Sequence, residues 1–144
     1  MKTKSIMFWV ATGIVCFSLF TGSLGDLFRF APVEDGMTHL GYPPYVMTIL
    51  GVWKLLAVLA ILAPGFPRLK EWAYAGAFFD FSGAVASHLA AAEPLVKILA
   101  PLLFAALTLV SWRLRPQPRM LGAFRTLAGR EPQRGSAGQA VPAG

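Results

Sequence analysis

The chain has little of what most catalytic and metal sites are built from. Among 144 residues there is one cysteine, Cys16, which excludes an internal disulfide, a CxxC redox pair and a cysteine metal cluster. Charged residues make up only 14% of the chain, against roughly 25% in an ordinary soluble domain. That deficit excludes a typical water-soluble fold. There is no glycine-rich phosphate loop and no pair of histidines spaced to hold a haem between helices, so nucleotide and haem chemistry have no foothold. The 13 basic residues give a net charge of +6 and an isoelectric point near 10.0, yet they form no dense basic face, which argues against nucleic acid. No stretch alternates with period two as the strands of a membrane barrel do. What is present instead is apolar: 56% of the residues, with a mean hydropathy of +0.58.

Those residues lie in long runs. Residues 6–24 carry no charge, and at ~1.5 Å per residue they are long enough to cross a hydrocarbon core of ~30 Å. Residues 45–63 are interrupted only by Lys54 and stop at Pro64-Gly65; residues 72–92 contain Asp80 and His88; residues 95–112 carry Lys97 close enough to one end to snorkel. The runs predict an all-α integral membrane four-helix bundle over residues 1–112. Short connections make the second and third spans, and the third and fourth, antiparallel neighbours. Residues 25–44 read as a loop. The alternative for the first run is a cleaved signal peptide ending at Ser23-Leu24-Gly25, although the run exceeds the ~7–15-residue core of such signals.

The distribution of Lys and Arg predicts orientation. Lys2, Lys4, Arg68, Lys70 and six tail arginines fall on one side, and only Arg29 and Lys97 on the other, which places both termini in the cytoplasm. The tail, residues 113–144, holds those six arginines against one glutamate and is rich in Pro, Gly, Ser and Gln, so it reads as mostly disordered. Within it, residues 119–128 have the pattern of a short interfacial helix, and the tail arginines are expected to meet anionic lipids of the bilayer.

Inside the predicted spans, Lys54 lies about 13 Å deep, beyond the reach of snorkelling, and Asp80 about 12 Å deep on the neighbouring helix. An unpaired charge there costs at least ~2.5–3.5 kcal/mol, so an ion pair between the two is expected. It reads either as a structural pair fixing helix register or as a binding and proton-handling site. Ser87 and His88, about 12 Å from Asp80 toward the outer surface, form the end of a polar track or an interfacial pair. The Asp80 face carries Ala73, Gly76, Ala77, Gly83 and Ala84, small residues expected to let a neighbouring helix approach. Gly51 and Ala57 are expected to leave room beside the Lys54 ammonium. Cys16 reads as a small apolar filler, and Trp9, Tyr45, Trp72, Tyr74 and Trp112 as interfacial aromatics. Asp26, Glu34, Asp35, His39 and Glu93 lack ligand spacing and read as solvated loop groups, so no metal site is expected.

In order and spacing, Leu40-Gly41-Tyr42-Pro43-Pro44-Tyr45, Gly51-Val52-Trp53-Lys54-Leu55, Pro64-Gly65, Glu71-Trp72-Ala73-Tyr74-Ala75-Gly76, Gly83-Ala84 and Ser87-His88 resemble the DoxX-like family of small four-helix bacterial membrane proteins. The resemblance covers residues 1 to about 115. It implies an inner-membrane location and marks Lys54, Ser87 and His88, with Glu71 and Trp72 at the cytoplasmic interface, as positions of interest. Relatives in the wider DoxX/DoxD grouping include subunits associated with thiosulfate:quinone oxidoreduction, and most DoxX-like members have no assigned activity. The expectation is an accessory, non-catalytic component of a membrane redox system, with a membrane oxidoreductase or a second copy as partner. No cofactor motif is evident. One alternative is a subunit or carrier that binds a quinone or small anion at Lys54, with Asp80 and His88 handling protons; another is an assembly or cargo-binding factor.

Overall fold

The computed structural model describes residues 2–116, so the interfacial helix predicted over 119–128 lies outside the described residues. Five helices follow one another: α1 (Lys2–Leu27), α2 (Ala31–His39), α3 (Pro44–Leu62), α4 (Pro67–Ala90) and α5 (Leu95–Arg113). The described residues are all helix and turn, with no strand.

Proline and left-handed residues set the boundaries. Pro32, Pro44 and Pro67 occupy first-turn positions of α2, α3 and α4, where the missing amide costs nothing. The turn after α3 uses two consecutive left-handed residues, Gly65 (φ 74°) and Phe66 (φ 51°), and Ala92 (φ 52°) closes α4. Pro101 sits inside α5 and withdraws one amide from its ladder.

The sequence reading is corrected at three places, the first being α4, which starts at Pro67 and not at residue 72. The first helix does not end at residue 24 but continues through Leu27, because Asp26, which reads as a loop acid, is buried in the bundle and has a partner there. Residues 25–44 are not a plain loop: α2 occupies nine of them, with no residue of its own fully buried. Its anchor is Val33, whose side chain reaches the backbone at Gly25.

The four longer helices pack in a ring, α1 on α3 and α5, and α4 on α3 and α5, with α2 against α3 and α1. The core is made by Val15 and Leu19 of α1, Val58 and Ile61 of α3, Tyr74, Ala77 and Phe81 of α4, and Ala105 of α5, with Cys16 filling among them. Tyr74 is therefore a core residue at 3% exposure rather than an interfacial aromatic. The outward faces carry Phe17, Trp53, Phe79, Leu95 and Val96, the reverse of a water-facing helix surface. Among the described residues, α1, α3 and α5 are long and apolar enough to cross a membrane; α4, with Asp80 and His88 along it, is long enough but more polar.

Candidate functional site

Lys54 is the centre of the most unusual chemistry in the bundle. Its ammonium donates to Asp26 Oδ2 at 2.8 Å and stands 3.6 Å from Asp80 Oδ1, so three charged side chains from α1, α3 and α4 converge inside the bundle. The expected Lys54–Asp80 pair is thus the longer of two contacts, and Asp26, misread as a solvated acid, is the direct partner. Local small residues make this possible. Gly51, one turn before Lys54, receives Asp26 and Leu27 so closely that a Cβ there would lie 2.8 Å from Leu27 Cγ, and Gly22 of α1 lies beside the Lys54 side chain. Gly51 makes room for α1, not for the ammonium as its place on the wheel suggests.

The small face of α4 meets its neighbours only in part: Ala77 packs in the core, but the glycines do not touch another helix. A Cβ on Gly76 or Gly83 would touch nothing within 4 Å, and Ala73, Gly76 and Ala77 line a cavity of about 710 Å³ between α3 and α4. Its walls are apolar except for Lys54 and Asp80, and Trp53 and Trp72, both largely exposed, flank it. Trp72, predicted as an interfacial residue, is thereby a cavity residue as well. A second cavity of about 240 Å³ is lined by residues of α1, α3, α4 and α5, and it too includes Lys54 and Asp80.

Toward the far end of α4, His88 lines this smaller cavity and its Nδ1 bonds Glu93. Glu93 is not a solvated loop acid. Its side chain is 6% exposed and also accepts from Lys97 at 2.7 Å, while His39 Nε2 of α2 stands 3.4 Å from the same carboxylate. Lys97 first, and then His88, hold the Glu93 carboxyl below the usual range. Ser87 donates to Gly83 O, which leaves its oxygen to accept from the Tyr42 hydroxyl at 2.6 Å and ties the α2–α3 connection to α4. Ser87 is a fastener here, and it is absent from the walls of both cavities.

At the opposite end lies a polar cluster that composition does not reveal. Tyr74 donates to Ser111, Ser111 to Thr12, and Thr12 to Phe8 O, a one-way chain of hydroxyls joining α4, α5 and α1. The Arg115 guanidinium lies 4.9 Å from the Tyr74 ring centre and donates to Glu71, which also accepts from Trp112 Nε1. Burial raises the Glu71 carboxyl, but the two hydrogen bonds and the Arg115 charge outweigh it and leave it below the usual value. Lys70, read from sequence only as a topology charge, is fully buried and donates to Ala60 O and Ile61 O at 2.9 Å and to Ala63 O, capping the end of α3. Lys70 and Arg115 escape sequence reading because in a list of basic residues they look like any other orientation signal.

Among the described residues no three His, Cys, Asp or Glu side chains are grouped to hold a metal ion. A search of curated proteins and of solved structures returns no match. The model of the DoxX-like family matches residues 10–111, a range that takes in Asp26, Lys54, Asp80, His88 and both cavities. By that match over most of its length, and with the apolar outward faces described above, the chain belongs to the DoxX-like family of membrane proteins.

Proposed function

We propose that this protein spans the bacterial inner membrane four times with both termini in the cytoplasm, and that it binds the head of a lipid-soluble quinone at Lys54 as an accessory component of a membrane redox system. The observation that carries this reading is the larger cavity. It is open on the α3–α4 face, its volume suits a ring-sized head with part of an apolar tail, and a single cationic donor stands at its wall. The two carboxylates beside Lys54 decide between ligand classes. With one carboxylate ionised the cluster is neutral and with both it carries −1, so in neither state does it attract an anion, while the ammonium has three N–H donors and can offer one to a neutral carbonyl.

The test uses the intact protein reconstituted in lipid vesicles, with quenching of Trp53 and Trp72 by a short-chain benzoquinone as readout. Saturable quenching is expected. Gly76→Leu places a side chain in open space within the cavity, on a helix position that favours Leu over Gly, so it should fold and abolish saturation. Lys54→Gln should weaken binding about tenfold, ~1.4 kcal/mol. Quenching that is non-saturable in the wild type, or unaffected by Gly76→Leu, would overturn the proposal.

A further inference from the structure

We infer that the smaller cavity is a hydrated passage through which the Lys54–Asp26–Asp80 cluster exchanges protons with the outer aqueous side, by way of His88 and Glu93. The two cavities have Leu19, Lys54 and Asp80 in common, so the cluster stands where they meet. They differ in character. The larger presents apolar walls apart from the cluster itself, whereas the smaller adds Ser18 and His88 and has room for several waters. Pro101 also lines it, and because proline has no amide, the Lys97 carbonyl one turn nearer the outer end lacks its usual helical donor.

The ionisable groups form an ordered series. His39 of α2, 65% exposed, faces Glu93; Glu93, held also by Lys97 of α5, bonds His88 Nδ1; His88 of α4 borders the cavity whose inner wall is Asp80 and Lys54, and Lys54 bonds Asp26 of α1. With Nδ1 taken by Glu93, His88 Nε2 is the ring atom able to exchange a proton with cavity water. The cluster has a use for that proton: one ammonium between two carboxylates is neutral once a carboxylate is protonated and carries −1 otherwise, a costly charge in apolar surroundings. In the opposite direction, among the described residues, the Tyr74–Ser111–Thr12 hydroxyls and the Glu71–Arg115 pair line neither cavity. Beyond the cluster the larger cavity is apolar, and Lys70 is committed to the carbonyls that end α3.

Only the identity of the outer side rests on the four-span reading above; the passage does not depend on quinone binding. Two measurements on the full chain test it. In a Cys16→Ala background, Ala84→Cys on the cavity wall should react with a charged, membrane-impermeant thiol reagent applied from the periplasmic side, and Leu103→Cys on the outward face of α5 should not. Absence of labelling at position 84 overturns the passage. In vesicles brought to a pH at which the Asp80 carboxyl shows its infrared band, assigned by loss of that band in Asp80→Asn, deuterium exchange of that carboxyl should slow by at least about a hundredfold in His88→Phe, the low end of what a positioned acid–base group supplies. Gly76→Leu should leave that exchange unchanged. If instead Gly76→Leu slows it and His88→Phe does not, protons reach the cluster by the larger cavity and the inference fails. His88→Phe should retain saturable quinone quenching, which separates failure of the passage from failure of the ligand reading.

Discussion

At the scale of single residues, glycines of the same composition do opposite things. Gly51 is a contact point: a Cβ there would lie 2.8 Å from Leu27 Cγ and 3.1 Å from Asp26 Cβ, neither of which is the movable end of a side chain. Gly51→Ala is expected to push α1 from α3, cost about 1–3 kcal/mol, and lengthen the Lys54–Asp26 bond. Thermal unfolding followed by circular dichroism checks it, and an unchanged midpoint would show that α1 gives way without loss. Gly76 and Gly83 are places where nothing approaches, so there a missing side chain creates space for something else. Sequence alone marks all three as small-residue positions. Which of them face a helix and which face a void depends on where the neighbouring axis runs.

Among the elements, the long helices were legible because their apolar runs are long and the punctuation is strong: residues 45–63 are predicted and Pro44–Leu62 is found, and residues 95–112 match Leu95–Arg113 closely. Apart from the missed α2, the misreadings occur where a charge is taken as the edge of a helix. Asp26 reads as part of a loop, and Arg68, Lys70 and Glu71 as a connection, yet α1 and α4 run through them. Lys70 illustrates the physics, since its buried ammonium donates to carbonyls in the last turn of α3, where helical carbonyls run out of intrahelical donors. Lys70→Met should remove the ammonium's hydrogen bonds to those carbonyls, a cost of about 1–3 kcal/mol. It should appear first as faster amide exchange in the last turn of α3 than in the first; uniform exchange along α3 would mean that the cap is not what holds that end.

For the molecule as a whole, the ring order α1, α3, α4, α5 brings three charged residues of three helices to one point and puts a cavity on either side of them. The proposed topology belongs to this scale. A cytoplasm-active reporter fused after Gly144 should be active and a periplasm-active one inactive, and the converse result would reverse the orientation and with it the side reached by the smaller cavity.

What residue order alone determined is the helical class, the approximate bounds of the long helices and the isolation of Lys54 and Asp80 within apolar runs, because burial in hydrocarbon and helix rise are local properties of a segment. Family membership was legible in the same way, as motifs in sequence order. Only the tertiary structure decided that Asp26 is the partner of Lys54, that His39 of α2 reaches Glu93, and that the glycines on the small face of α4 border empty space. Those outcomes depend on distances between segments far apart in the chain. A charge has no partner until the packing of helices supplies one.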